Sequence, residues 1–284
     1  MTAILRGCRS TAARLQSLGT PAATVALLRD SPLGVECLLL RKSRTMRFGG
    51  LWVFAGGKVE VADQVHHSDD GSIDVLSTAA NAASREATEE TGLAVSPSRL
   101  VFISHWVPPP AEVAARGTGF STFFFVAAHE GDAVHVDGTE IDTSLWLRPA
   151  EALQRHASGE LGLLPPTWMT LEVLESIGAQ RGGTSTSTVE HTLAVLRDTP
   201  PLEYATRSAV VGPQEAVVFM WEGDAGWAAS DPAVPGPRLR LVSSLDGAPG
   251  HGSSSSKDVH VGELARGAAT LKLERSPSRP KSRL

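Results

Sequence analysis

The stretch that decides the fold is "REATEETGL", residues Arg85 to Leu93, which places three glutamates within five positions beside an arginine. On a helix, Glu86, Glu89 and Glu90 stand at i, i+3 and i+4, so their carboxylates share one face. Like charges so placed cost a helix about 0.2–0.5 kcal/mol per pair. A hard divalent cation such as Mg²⁺, which prefers oxygen ligands, would remove that repulsion. The alternative is a solvated acidic face with Arg85 as its local partner.

A glycine pair upstream of this helix favours a ligand site over a solvated face. The pair lies in "FAGGKVE", Phe54 to Glu60, directly after the apolar strand "LWVF". Two glycines let the backbone turn sharply and bring its carbonyl groups close to a ligand. The two motifs together therefore predict a site between a strand end and a helix.

The two motifs together resemble the Nudix box, which reads glycine, five residues, glutamate, seven residues and REUxEExGU, with U an aliphatic residue. The residues that match its second half are Arg85, Glu86, Ala87, Glu89, Glu90, Gly92 and Leu93. The resemblance covers roughly residues 21 to 243. It implies the Nudix fold, an α/β (α+β) architecture in which a mixed β-sheet is sandwiched between α-helices.

The match departs from the box in its first half. Gly57 is the box glycine, but Asp63 stands where the glutamate is expected, and 21 residues separate Asp63 from Arg85 instead of seven. This insertion, together with the flanking "LLLRKSRTMRFGGLWVFAGG" and "LLPPTWMTLEVL", is similar to the Nudix branch that includes the peroxisomal coenzyme A diphosphatases. The role of Asp63 stays open at this stage.

The resemblance implies a Mg²⁺- or Mn²⁺-dependent diphosphatase that cleaves coenzyme A or acyl-CoA to 3′,5′-ADP and (acyl)phosphopantetheine. Two alternatives stay open. One is another diphosphate derivative as substrate, such as ADP-ribose, a nucleotide sugar or a damaged nucleotide, because the box specifies only the diphosphate chemistry. The other is a nucleotide-binding module without activity, which the presence of all three glutamates disfavours.

The resemblance also implies roles for the site residues. Glu86 and Glu90 would hold the metal, with Glu89 as a third ligand or the base that orients water, and with the Gly57 carbonyl as a further ligand. Arg85 would orient a glutamate. A further glutamate comes from a loop opposite the box in many Nudix enzymes, and here the candidate is Glu140 in "GTEIDTSLWLRP", whose alternative is an ordinary loop carboxylate.

A basic cluster lies immediately upstream of the box strand. It contains Arg41, Lys42, Arg44 and Arg47. Arginine suits bidentate phosphate contacts, so these residues, the three arginines above all, are candidates for binding the 3′-phosphate or diphosphate of coenzyme A. The alternative is a solvated strand end.

The remaining pattern alternates strands and helices. "AATVALLR" and "VECLLLR", separated by the turn "DSPLG", predict a hairpin, and "STFFFVAAH" and "SLWLRP" predict further strands. "STAANAASREATEET" predicts a helix capped by Ser77 and ended by Gly92, and two later helices follow, the second with a Ser187 and Glu190 capping box. Trp52, Phe54, Phe123 to Phe125 and Trp146 are expected in the core.

Composition excludes several classes of protein. The chain has 284 residues, of which 42% are hydrophobic, enough for one sizeable domain with extensions or at most two domains. A net charge of -5 does not predict a nucleic-acid binder, and no apolar run is long enough to cross a bilayer. Two cysteines cannot form a disulfide framework, which indicates a reducing compartment.

The two ends differ from the middle. Residues 1–20 are basic and contain no acid, which is typical either of a mitochondrial presequence or of a frayed terminus. Residues 21–243 form the expected Nudix domain, and the Gly-, Ser- and Pro-rich residues 244–284 are expected to form a flexible tail. The tail ends in Ser282-Arg283-Leu284, similar to a peroxisomal address read by an import receptor. We expect a peroxisomal protein, with a mitochondrial location, or a cytosolic one in a bacterium, as alternatives.

Overall fold

The expected mixed sheet between helices is confirmed in a computed structural model. The structure describes residues 19–46, 48–110, 119–129, 131, 133–179, 188–211, 216–236, 239–244, 259–266 and 269–275. The strands of the main sheet are β1 (Thr20–Ser31), β2 (Gly34–Lys42), β3 (Trp52–Val53), β4 (Ala55–Lys58), β5 (Val101–Val107), β6 (Phe120–Ala128), β7 (Ile141–Leu147) and β8 (Leu202–Ala205). The helices are α1 (Val75–Thr91), α2 (Pro149–Ala157), α3 (Pro165–Ala179) and α4 (Val189–Asp198).

Strand β1 lies at the centre of this sheet, with other strands paired along both of its edges. It pairs in parallel with β6 along its length and forms the predicted antiparallel hairpin with β2. On the same edge as β2, its first half pairs with β4, where Ala23 lies opposite Gly57 and Thr24 opposite Gly56. The sheet therefore fixes the glycine pair beside the middle of a buried strand.

The two faces of the sheet carry separate cores. Side chains of α2, α3 and α4 pack on one face with Trp52, Phe54 and Leu39. On the other face α1 packs through a stripe of alanines at positions 79, 80, 82, 83 and 87 against Leu38, Leu40 and Phe125. Small side chains let a helix lie close to a sheet, so the alanines bring the glutamates of α1 close to β4. The buried Trp52 and Phe54 confirm their prediction as core residues.

The caps of the helices differ from their predictions by a few residues. Asp74, not Ser77, caps α1, because its carboxylate accepts hydrogen bonds from the Ser77 backbone N–H at 3.1 Å and from its hydroxyl at 2.7 Å. Gly92 ends α1 with a left-handed φ of 72°, as predicted. Thr188 caps α4 by accepting from the His191 N–H, and Ser187 lies outside the described residues.

A second sheet follows the first in the chain. Its strands are β9 (Arg207–Val211), β10 (Ala216–Met220), β11 (Leu239–Ser244), β12 (Val259–Arg266) and β13 (Ala269–Arg275). Strands β12 and β13 lie within residues 244–284, where a flexible tail was predicted. "VHVGELAR" and "ATLKLER" both contain apolar and polar residues in partial alternation, a period typical of strands that the overall composition of the tail conceals. The domain boundaries themselves stay a prediction.

Both terminal signals lie outside the described residues, which begin at residue 19 and end at residue 275. Within the described part of the chain, none of the helices combines the length and apolar character needed to span a membrane.

Candidate active site

The glycine pair of β4 meets the carboxyl-terminal half of α1. The Gly56 N–H donates a hydrogen bond of 2.9 Å to Glu90 Oε2. At Gly57, a Cβ atom would overlap the carboxylate of Glu86, so only glycine lets this side chain lie against the strand. The pair thus forms a cradle for two of the three box glutamates.

Glu90 is a carboxyl group held in an unfavourable environment for its charge. Only 4% of the residue is exposed. Burial raises its pKa to about 8, an effect that the Gly56 N–H and Lys42 oppose and that Glu86 and Glu140 increase. A group that is buried, negative and next to other carboxylates is stabilised by a cation, so this arrangement favours metal binding.

Glu86 and Glu89 differ from Glu90 in exposure. The pKa of Glu86 is raised by burial, while its hydrogen bond with Arg85 lowers it and the charges of Glu89 and Glu140 raise it further. The side chain of Glu89 is 58% exposed. Exposure to solvent therefore differs among the box glutamates: Glu90 is buried against the glycines, and Glu89 is exposed.

Arg85 directs every nitrogen of its guanidinium at groups of the chain itself. Nε and Nη2 donate to the two oxygens of Asp63 at 3.1 and 3.0 Å. Nη1 donates to Glu86 and Glu89 at 2.9 Å each, and Nη2 also donates to the Lys58 carbonyl at 2.9 Å. This geometry agrees with the predicted role of Arg85 in orienting glutamates.

Asp63, whose role the sequence left open, holds the guanidinium of Arg85 through the nitrogens that do not contact the glutamates. It is 5% exposed and ends a 3₁₀ turn, Val61–Asp63, where its carboxylate also accepts the Glu60 N–H at 2.8 Å. Its backbone carbonyl accepts from Asn81 of α1 at 3.0 Å. Asp63 is therefore anchored to α1 before the insertion begins, and the insertion returns to the helix at the Asp74 cap.

Glu140, the candidate loop glutamate, is near enough to the helix glutamates for its charge to act on them. It is exposed and immediately precedes β7, and its backbone carbonyl accepts the Ser43 N–H at 2.8 Å. Its charge raises the pKa of both Glu86 and Glu90. A fourth glutamate, from a different element, thus adds negative charge to the surroundings of the helix glutamates.

Alternation along β2 divides the basic cluster between the two faces of the sheet. Arg41 lies over the Trp52 ring at 6.0 Å and pairs with Asp142 at 3.8 Å, on the face covered by α2, α3 and α4. Lys42 lies opposite Ile141, which packs in the core beneath α1, and its charge lowers the pKa of Glu90. Arg44 is exposed in the following turn, and Arg47 lies outside the described residues.

The donor chemistry of the site fits a divalent cation. All candidate ligands are oxygens, as Mg²⁺ and Mn²⁺ prefer, and the cradle at Gly57 leaves room for the Glu86 carboxylate against the backbone. Among the described residues, however, no three His, Cys, Asp or Glu side chains are grouped as a ready metal site. Arg85 instead engages Glu86 and Glu89, so binding of a metal would need these carboxylates to reorient.

The sequence named Asp63 and Lys42 but did not predict what they contact or which side of the sheet they face. The contact of Asp63 with Arg85 joins residues on either side of a long insertion, so spacing could not predict it. Lys42 was grouped with the neighbouring arginines, although strict alternation after the buried run of β2 would have separated it from Arg41.

Several known proteins are similar to this chain. The family profile described as the NUDIX domain matches residues 19–167. A NUDIX hydrolase from Alicyclobacillus acidocaldarius is 23% identical, with a TM-score of 0.49 over 64% of this chain and 98% of that one. The NUDIX domain of Shewanella oneidensis NrtR, solved with ADP ribose, is 15% identical, with a TM-score of 0.40 over 61% and 96%. A C. elegans Ap4A hydrolase is 18% identical, with a TM-score of 0.37 over 57% and 98%. No curated protein sequence matches the chain.

Proposed function

Because the chain belongs to the NUDIX family, we propose that it hydrolyses the diphosphate bond of coenzyme A or an acyl-CoA. The products are 3′,5′-ADP and phosphopantetheine or its acyl derivative. Membership confirms the broader prediction, a hydrolase that acts on the diphosphate bond of nucleoside diphosphate derivatives. The choice of coenzyme A within that class is the proposal.

One observation carries the catalytic assignment, the buried carboxyl group of Glu90 against the Gly56 N–H. An ionised carboxylate in such a place costs free energy unless a cation accompanies it. In a binding module without metal, this buried carboxylate would destabilise the fold without compensation. In a metal-dependent diphosphatase, the bound cation compensates its charge.

The proposal for coenzyme A rests on the resemblance of the insertion and its flanking segments. The basic residues near β2 add support, because coenzyme A carries a 3′-phosphate beyond the diphosphate. Arg44 is exposed and so is available to such a group. Arg41 is less suited, since it is engaged by Asp142 and lies on the other face of the sheet.

The mechanism assigns separate tasks to the site residues. When bound, Mg²⁺ or Mn²⁺ neutralises charge at the phosphorus under attack and at the leaving oxygen. Glu86 and Glu90 would hold it. Arg85, fixed by Asp63, orients Glu86, and the Gly56 N–H orients Glu90. Glu89 or Glu140, both exposed, would accept the proton of the attacking water. The new P–O bond forms as the bond to the bridging oxygen breaks.

The substrate is tested by mass spectrometry of the products from coenzyme A, acetyl-CoA, ADP-ribose and a nucleoside triphosphate under identical Mg²⁺ and Mn²⁺ concentrations. We expect 3′,5′-ADP from the two coenzyme A substrates, at a higher kcat/KM than for the others. Preference for ADP-ribose would reject the substrate but keep the enzyme class. Binding without turnover of any substrate would reject catalysis.

We also propose that the protein works in peroxisomes, from the terminal Ser282-Arg283-Leu284. A fluorescent protein fused to the N-terminus should give punctate signal that colocalises with a peroxisomal marker and becomes diffuse when Leu284 is removed. Signal that stays punctate without Leu284, or that is never punctate, would contradict this location.

A further inference from the structure

Lys42 is the last residue of β2, and its side chain points toward the catalytic helix. Leu38 and Leu40, which precede it at intervals of two, pack in the core beneath α1. Cys37 and Leu39 pack in the opposite core. The pairing with β7 shifts by one residue between Arg41 and Lys42, and the partner of Lys42 across the strands, Ile141, packs in the core beneath α1. Lys42 therefore shares the face of α1.

The surroundings of Lys42 are acidic. Lys42 pairs with Ile141, the first residue of β7, and the N–H of the next residue, Ser43, donates to the carbonyl of Glu140 at 2.8 Å. Lys42 therefore lies on the side of the sheet that carries the helix glutamates, beside the residue that holds the backbone of the loop glutamate.

Among the described residues, three other cations near the site are committed elsewhere or face away. The guanidinium of Arg85 donates to Asp63, Glu86, Glu89 and the Lys58 carbonyl. The side chain of Lys58 follows Gly57 by one position in β4 and so faces the opposite side of the sheet. Arg41 lies on that opposite face as well. A diphosphate that enters among four glutamates needs a protein cation on their own face, and Lys42 has the position for it.

We infer that the Lys42 ammonium binds the diphosphate of the substrate at the carboxylate site. This inference rests on the proposed function for the nature of the substrate, but not on coenzyme A as its identity. A lysine ammonium suits the task, because it is a compact charge with three donors that can contact both a phosphate oxygen and a carboxylate. Lys42 would thus offset the repulsion between the bound diphosphate and Glu90.

The inference is tested by calorimetric titration of methylenediphosphonate, a diphosphate that cannot be hydrolysed, into the full-length protein. Mg²⁺ is held far above its dissociation constant for each variant, so that a change in metal affinity does not affect the result. Lys42→Gln should weaken binding about tenfold or more, as expected for loss of a charge-assisted contact, and Lys42→Arg should restore most of it. Arg197→Gln, which removes an exposed charge from α4, is the matched control and should leave binding unchanged.

Steady-state kinetics with the preferred substrate add a second measurement. A contact with the diphosphate predicts a lower kcat/KM for Lys42→Gln, whereas a lysine that only balances Glu90 predicts altered Mg²⁺ affinity and unaltered diphosphonate affinity. Equal diphosphonate affinity in wild type and Lys42→Gln, or no binding to the wild type, would overturn the inference. Failure of coenzyme A as a substrate leaves the titration unaffected, so the two proposals fail separately.

Discussion

Replacing Glu90 with glutamine should stabilise the metal-free protein, and increasingly so as pH rises. Glutamine keeps the shape of the side chain and can still accept the Gly56 N–H, but it carries no charge. The folded-state pKa of Glu90, about 8, lies above its ordinary value of 4.5. Below pH 4.5 the carboxyl group is protonated in both the folded and the unfolded state, so it does not affect stability. Above pH 4.5 it ionises in the unfolded state but stays protonated in the folded state, which lowers the free energy of unfolding as pH rises.

The size of the effect follows from that shift. Each unit of pKa difference corresponds to about 1.4 kcal/mol, so at pH 7 the wild type should be less stable than Glu90→Gln by about 3 kcal/mol. At pH 5 the difference should be below about 1 kcal/mol. For a domain of this size, the pH 7 difference corresponds to a Tm shift of roughly 10 °C.

The assay is thermal unfolding followed by circular dichroism at pH 5, 6, 7 and 8 in EDTA, and again with excess Mg²⁺. Mg²⁺ should raise the Tm of the wild type, more at pH 8 than at pH 5, because it binds the ionised carboxylate. It should raise that of Glu90→Gln much less. Glu89→Gln is the control, since a carboxylate that is 58% exposed should change metal-free stability by less than about 1 kcal/mol. A Tm difference between wild type and Glu90→Gln that does not depend on pH would refute the reasoning.

The other predictions concern the cradle, the anchor and the metal ligand. Gly57→Ala should lower kcat/KM by at least about tenfold, because the added Cβ displaces the Glu86 carboxylate. A crystal structure with Glu86 in its wild-type position, or unchanged kinetics, would contradict this. Asp63→Asn should reduce activity by about tenfold, because Arg85 loses a charged partner, while Asp63→Glu should do less harm; equal rates in all three proteins would remove Asp63 from the site. Glu86→Gln should lower kcat by about a hundredfold or more and raise the Mg²⁺ concentration for half-maximal rate, and a near-normal rate would show that Glu86 is not a ligand.

The sequence by itself determined the family, the sheet and the catalytic helix. A period of 3.6 residues puts Glu86, Glu89 and Glu90 on one side of any helix. This placement depends on local geometry, which the order of residues specifies without reference to distant parts of the chain. The β1–β2 hairpin and Gly92 at the end of α1 followed in the same way.

Only the tertiary structure decided how the elements complete the site. The contact of Asp63 with Arg85 closes a long insertion. The pairing of β7 with β2 places Glu140 where its charge raises the pKa of Glu90. The separation of Lys42 from Arg41 depends on which face of β2 receives α1. Contacts between residues far apart in the chain depend on strand order and register, and these are set by the packing of the whole sheet and not by any segment within it.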